Sequence, residues 1–430
     1  MNVSIIGTGF VGVVTAAVYA SFGNNVIGLD IDPQKIEKLK QGIVPFFEPD
    51  LSELLVEQQR TGNLHFTTDY TEAIPNADVI VLAVGTPSSL DGQVDLRFVY
   101  SASEYLAPYL KKSAIVVVKS TVPPGIFSTL RKIIEAKASH NDFHLASVPE
   151  FLKEGTAVAD TLHPDRIVIG ASDPFVFEKL SELHAPLNAP IVKLSPESAQ
   201  MAKYAANAFL ATRITFINQI ADLCEQNGAD IQEVIQAMGY DKRIGHHYWY
   251  PGLGYGGSCF PKDVKELAAY SRTVGLEENL LNQLNRLNEE RIPKLMEKYE
   301  QLVGGWKGKK VAVLGLAFKP QTDDMREAPS VKVIPLLAQA GATVVGYDPK
   351  AVPNANYFIT QSPRVTYTTN LDEAMHDADV ILVLIEWPEI VGYDLAMSRA
   401  EKPQWLIDTR NQFDKEEVTT FGYTYIGVGR

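Results

Sequence analysis

Two short stretches, Asn76-Ala-Asp-Val-Ile-Val-Leu82 and Asp377-Ala-Asp-Val-Ile-Leu-Val383, are nearly the same segment written twice in one chain. An uninterrupted apolar run of this length reads as a strand buried on both faces of a parallel sheet. Two more pairs match in the same order. Val3-Ser-Ile-Ile6 resembles Lys310-Val-Ala-Val-Leu314, and Val26–Asp30 resembles Thr343–Asp348. One match could be coincidence; three in register indicate a repeated unit. Helical patterns separate the strands, with further strand-like runs at Val79–Val84 and Ala114–Lys119. That alternation predicts an α/β fold with two Rossmann-like, doubly wound parallel-sheet domains.

Between the repeats the strand signal fades. Pro196-Glu197 reads as a helix N-terminus, and Met201, Tyr204, Ala205, Ala208, Phe209, Thr212, Phe216 and Ile220 continue at helical spacing to about Cys224. A helix of about 30 residues spans roughly 45 Å, which suits a bridge between domains or a subunit interface. The expected division is 1–195, 196–304 and 305–430, the middle part being helical and joining the flanking sheets. The expected assembly is a homodimer or higher homo-oligomer.

The net charge of −13, without lysine- or arginine-rich runs, argues against nucleic acid. It leaves room for a local basic cleft. Two cysteines in 430 residues suit a reducing compartment. The apolar N-terminus has no basic flank, and glycines with Thr8, Thr15 and Ser21 interrupt it, against a signal peptide or membrane span. A cytoplasmic protein without membrane partners is expected.

Gly7-Thr-Gly-Phe-Val-Gly12 follows the first strand and opens a helix, and Asp30 ends the next strand. Gly7 makes the tight turn, Gly9 lets backbone approach a pyrophosphate, and Gly12 permits close packing. Asp30 would accept from ribose hydroxyls and repel a 2′-phosphate, favouring NAD over NADP. Val84-Gly-Thr-Pro87 and Lys119-Ser-Thr-Val-Pro-Pro-Gly125 lie at further strand ends, where turn chemistry accounts for them equally well.

Gly254-Tyr-Gly-Gly-Ser-Cys-Phe-Pro-Lys-Asp263 sets a thiol among glycines and charges. Cys224, within a periodic apolar face, reads as a small buried hydrophobe; Cys259 reads as a nucleophile, with glycines giving close approach and Lys262 favouring the thiolate. Beside NAD, such a thiolate can trap an aldehyde as a thiohemiacetal and carry it to a thioester. Glu150 and Glu154 are four apart, which on a helical turn would share a face. Lys203 and Asn207 have the same spacing, and a solvated helix face is the ordinary reading of such a pair.

Together, GTGFVG with Asp30, VGTP, KSTVPPG, PEFLKEG, KYAANAF, GYGGSCFPKD, LGLAFKPQTDDMRE and DTRN resemble the UDP-glucose/GDP-mannose dehydrogenase family over essentially the whole chain. The resemblance implies four-electron oxidation of a sugar C6 alcohol to a carboxylate with two NAD, on a sugar nucleotide taken to be UDP-glucose. It implies Cys259 as nucleophile, with Lys203 and Asn207 at the reacting group. Asp263 would work with Lys203 in proton transfer, Glu154 in thioester hydrolysis, and Thr121 in holding water and cofactor. For NAD it implies Val11, Asp30, Lys35, Thr86, Thr121, Glu154, Lys262 and Arg326. For the substrate it implies the loop Glu150, Phe151, Leu152, Lys153 and Glu154, with Lys203 and Asn207. It adds a second loop, Tyr248, Trp249, Tyr250, Pro251 and Gly252, and then Gly256, Lys319 and Arg410. Arg243 would reach a neighbouring subunit's site. His246 and His247 match no metal spacing, and no metal is expected. The second α/β unit has Gly315-Leu-Ala-Phe-Lys319 in place of the glycine-rich turn, which points to a sugar-nucleotide site there and not a second NAD site.

Three alternatives compete. The same chemistry could act on GDP-mannose or a UDP-N-acetylhexosamine. A two-electron hydroxyacid-type dehydrogenase would use Lys203–Asn207 but leave Cys259 and the third domain unexplained. A non-catalytic sugar-nucleotide sensor would not need Cys259 or Lys203.

Overall fold

The structure is a computed structural model and describes residues 1–89, 92–277, 279–398 and 404–430. It divides into two compact units, Met1–Ala206 with Ala269–Gly275, and Asn207–Ala268 with Leu276–Arg430.

The first unit is built on an eight-stranded sheet. Its strands are β1 (Asn2–Ile6), β2 (Asn25–Leu29), β3 (Leu64–Thr67), β4 (Val79–Leu82), β5 (Ala114–Val118), β6 (Phe143–Ser147), β7 (Ile167–Gly170) and β8 (Ile191–Leu194). Their order is β3-β2-β1-β4-β5-β6-β7-β8. All neighbours are parallel except β6 and β7, which meet antiparallel through Ser147 and Gly170. Alternate residues feed two cores. Val3, Ile5, Val79, Val81, Ile115 and Val117 pack on one face; Ile6, Ile80, Leu82, Val116 and Val118 pack on the other. That is the period-two pattern of strands covered by helices on both sides.

In the second unit β9 (Lys310–Leu314), β10 (Thr343–Tyr347), β11 (Val365–Thr368), β12 (Val380–Val383), β13 (Gln404–Asp408) and β14 (Tyr423–Gly427) form a wholly parallel sheet. The order is β11-β10-β9-β12-β13-β14. The repeated segments are equivalent strands. β4 pairs with β1 through Val79 and Val3, and β12 pairs with β9 through Val380 and Val311.

The expected long helix runs Pro196–Asn227, 32 residues. Ser195 starts it, its hydroxyl accepting the Ser198 amide, as an N-cap residue does. Helices Ile231–Gly239, Phe260–Thr273 and Leu280–Val303 complete the helical middle. The last of these opens on an Asn279 cap and ends at Gly304 in the left-handed conformation. Among the described residues no helix is long and apolar enough to cross a membrane.

A buried polar pair sits within the first unit. His184 Nδ1 lies 2.7 Å from the Leu180 carbonyl and must donate to it, so Nε2 accepts the Tyr19 hydroxyl at 2.7 Å. Burial, reinforced by the cation of Lys119 and opposed by the Leu180 bond, pushes the imidazole down to about 4 from 6.5. The folded state therefore binds fewer protons than the unfolded chain between those values. Stability present above pH 6.5 is lost as pH falls towards 4, by up to about 3 kcal/mol. Urea unfolding across this window should show that slope in the native chain and a flatter one in His184→Gln.

Candidate active site

The turn after β1 has the geometry of a dinucleotide cradle. Gly7 adopts φ +96°, and a Cβ there would meet the Ala83 carbonyl oxygen at 2.7 Å. A Cβ on Gly12 would lie 1.8 Å from the Gly7 carbonyl oxygen, whereas one on Gly9 would meet nothing within 4 Å. Gly7 and Gly12 are thus fixed by the protein's own packing, and Gly9 keeps the helix start bare. Helix Phe10–Ser21 carries no acidic residue in its first turn, which leaves its N-terminal charge for an anion. Asp30 Oδ2 accepts from the Thr8 amide and hydroxyl and from Lys35 Nζ; Oδ1 accepts the Asp32 amide. Burial opposes ionisation, but these donors prevail and hold the carboxyl below its usual range. A charged carboxylate with acceptor capacity left on Oδ1 fits the ribose of NAD. Val11 lies in the first turn of the same helix, and Thr86 is buried beyond β4. Thr121, half-buried, follows Ser120, whose hydroxyl bonds the Val84 carbonyl.

Glu150 and Glu154 are not on a helix. The stretch Pro149–Lys153 is irregular, and the nearest helix begins at Ala157. The two carboxylates consequently point to different neighbours. Glu150 accepts Lys203 Nζ at 2.9 Å and the Leu152 amide at 2.8 Å. Phe151 packs under Arg166, 3.7 Å from the ring centre, and Lys153 pairs with Asp160. Glu154 lies buried in a turn fixed by a residue the sequence did not single out. Glu48, itself buried, takes the amides of Gly155 and Ala157 on its two oxygens, each at 2.6 Å.

Lys203 is 3% exposed and Asn207 is 7% exposed, so the solvated-face reading of this helix fails at both positions. Lys203 and Glu150 belong to the first unit. Asn207 lies in the second, where its amide donates to Asp263 at 2.6 Å. Lys262 Nζ binds the other oxygen of Asp263 at 2.7 Å and Glu266 at 3.3 Å. Burial alone would weaken the Lys262 ammonium, but the two carboxylates reverse this and raise its proton affinity. Cys259, half-buried, sits where helix Phe260–Thr273 begins, its carbonyl accepting the Asp263 amide at 2.8 Å. The positive end of a helix favours a thiolate there.

The glycines before Cys259 have a reason other than room for substrate. Gly254 and Gly257 have φ of +98° and +82°. A Cβ on Gly256 would strike the Glu327 carbonyl oxygen at 2.3 Å, and one on Gly257 would strike the Phe318 ring. Asn288 clamps the segment by bonding both the amide and the carbonyl of Tyr255. No local pattern marked Asn288, which is 33 residues away on helix Leu280–Val303.

The remaining substrate candidates also lie in the second unit. Gly252 donates its amide to Asn218, accepts Arg291 Nε, and abuts the Thr409 carbonyl. Tyr248 takes a left-handed φ of +63°, Trp249 stacks on Arg213, and Tyr250 packs on Tyr248. Pro251 is buried. Arg410 forks onto Glu386 at 2.6 and 2.7 Å, and Lys319 lies over Phe318. Arg243 and Arg326 pair with Asp241 and Asp324 near the surface. Asp348, the counterpart of Asp30, is fully buried and takes the Leu316, Ala317, Lys350 and Ala351 amides and the Trp387 ring N–H. No capacity remains on it for a ribose. His246 and His247 join no metal-binding group among the described residues.

A dinucleotide cradle, a helix-end thiol and a second, altered nucleotide fold define an NAD-dependent oxidoreductase. The chain belongs to the UDP-glucose/GDP-mannose dehydrogenase family. The family's NAD-binding domain matches residues 1–188, its central domain 197–290 and its UDP-binding domain 312–415. The chain is 41% identical to the UDP-glucose 6-dehydrogenase TuaD of Bacillus subtilis over 431 residues, covering 100% of this chain and 93% of that one. A UDP-glucose dehydrogenase structure from Pyrobaculum islandicum superposes with a TM-score of 0.92 at 36% identity, covering 99% and 97%. A GDP-mannose dehydrogenase from Pseudomonas aeruginosa matches less well, at 0.56 and 31%, covering 96% and 97%.

Replacing Glu48 by Gln should leave one of the Gly155 and Ala157 amides facing an NH2 group, at a cost of about 1–3 kcal/mol. Hydrogen exchange should speed up at those two amides while the β1–β5 amides keep their protection.

Proposed function

We propose that the chain oxidises the C6 alcohol of UDP-glucose to the carboxylate, giving UDP-glucuronate with reduction of two NAD⁺. The observation that carries this is Cys259 at a helix N-terminus, one turn from an Asp263 held by Asn207 and Lys262. Full-length likeness to UDP-glucose 6-dehydrogenases supports the choice of sugar nucleotide.

NAD⁺, when bound, accepts the hydride in each of the two oxidations. The remaining work falls to the chain. In the first stage Lys203 stabilises negative charge on the C6 oxygen, and Asp263 helps to move the hydroxyl proton. Cys259 Sγ then adds to the aldehyde carbon, forming a C–S bond, and the oxygen takes a proton to give a thiohemiacetal. Loss of hydride and of the hydroxyl proton leaves a thioester. Water, placed with the help of Thr121 and Glu154, attacks the carbonyl; the C–S bond breaks and Cys259 returns as thiolate. Asp30, Lys35 and Gly9 orient the cofactor, while Lys319, Arg410 and the Tyr248–Gly252 loop hold the diphosphate and sugar. We assign residues 1–195, 196–304 and 305–430 to the NAD-binding, helical and sugar-nucleotide-binding domains, and the reducing cytoplasm as the working compartment.

Cys259→Ser should lose acid formation by at least about a thousand-fold, because an oxygen ester is not readily formed or released there. The native chain should give two NADH per UDP-glucose consumed, read by absorbance against product analysis. One NADH per sugar would overturn the reading; faster turnover of GDP-mannose would reassign the substrate.

The assembly proposed is a homodimer. Phe209, Phe216 and Leu223 recur every seven residues on the long helix and are 60%, 48% and 59% exposed. Seven-residue spacing puts them on one stripe that a second copy of the helix would cover. Arg243, exposed nearby in sequence, would then reach across to the partner's site. Light scattering should give twice the chain mass, and Phe216→Glu should lower it towards the monomer.

A further inference from the structure

A second buried lysine is left over by the chemistry above. Lys119 is 9% exposed, and among the described residues no hydrogen bond or ion pair engages its ammonium. Its backbone amide is fixed to the Leu82 carbonyl at 2.9 Å, so the side chain starts from a rigid strand end.

Strand alternation decides where that side chain goes. Ile115 and Val117 of β5, with Ala146 and Val148 on and just beyond β6, belong to one core, while Val116 and Val118 belong to the other. Lys119 continues the first series on β5, and Glu150 continues it beyond β6. The register Val118 with Ser147, and the bond from the Val148 amide to the Val118 carbonyl, bring these two ends side by side. Lys203 joins them from the long helix through its 2.9 Å bond to Glu150. His184 faces Lys119 from helix Pro174–His184 and is neutral, with Tyr19 behind it. Among the described residues these contacts bring together two ammonium groups, one carboxylate and an uncharged imidazole. Lys119 is attracted by Glu150 and repelled by Lys203.

We propose that Lys119 is a positioning residue for the oxidation: it shares the charge of Glu150 with Lys203, so that Lys203 keeps a net positive field toward the reacting carbon. This rests on the function proposed above. A Lys203–Glu150 pair alone is neutral overall, and a carboxylate in contact with the ammonium would cancel most of its pull on an oxyanion. A second ammonium behind the same carboxylate restores the excess positive charge.

Burial, partly offset by Glu150 and reinforced by Lys203, lowers the proton affinity of Lys119 to about 8. The cation is present below that pH and lost above it, so the field should weaken as the medium turns alkaline. In the native chain kcat should fall severalfold as pH rises through about 8. Lys119→Arg, whose guanidinium stays charged, should lose that fall. Lys119→Met should show a flat profile with kcat on the order of ten-fold lower and little change in KM for UDP-glucose. Unaltered inflection and rate in both variants would overturn the inference, since a lysine that merely fills space does not set a pH profile. Should the methionine variant not fold, the arginine profile decides alone. A native chain that forms no NADH would instead sink the proposed function. The charge sharing is then read by NMR titration of lysine Nζ: Lys203→Met should raise the Lys119 midpoint, and an unmoved midpoint would refute the coupling.

Discussion

The carboxylate at the end of the second strand is what each α/β unit is organised around. The chain leaves β1 and β9 through a glycine with positive φ, Gly7 or Gly315. Such a turn strips the next amides of strand partners, and buried amides need acceptors. Asp30 supplies one for Thr8, and Asp348 supplies one for Leu316 and Ala317. From there the copies diverge. Asp30 keeps one oxygen with a single amide donor, whereas Asp348 is saturated by Lys350, Ala351 and Trp387. One copy is an acid that can hold a ligand; the other is a structural bolt, which is why the second unit keeps the fold without the dinucleotide site.

Both sheets were legible in their central strands because buried parallel strands write themselves as apolar runs, and duplication doubled the signal. The strands β3, β6, β7 and β8 of the first sheet and β11, β13 and β14 of the second were not read out; Ile191–Leu194 in particular is half-exposed and lacks an apolar run. The site was legible where glycine, cysteine and charge cluster locally. It was not legible where a polar side chain bonds distant backbone. Glu48 reaches amides more than 100 residues along the chain, and Asn288 sits on an ordinary amphipathic helix. Spacing also misled at Glu150 and Glu154. Four residues apart means a shared face only on a helix, and Pro149–Lys153 forms none. For Lys203 the opposite error threatened, since a lone helical lysine ordinarily faces water; here a buried carboxylate compensates it.

Several inward-facing cations of this acidic chain are matched by its own carboxylates. Lys203, Lys262 and Arg410 are each set against a buried or half-buried carboxylate, which holds their charge in place. Such pairs are costly to take from water and are fixed in geometry.

Gly252 and Gly256 rest on the carbonyl oxygens of Thr409 and Glu327. Two main chains meet there with no side chain between them, and any added carbon would force them apart. The floor of this region is therefore invariant by geometry. Change in this region is left to side chains that can vary without moving a main chain, such as the rings of Tyr248 and Tyr250. The same crowding that holds the thiol segment in place leaves its main chain little freedom to drift.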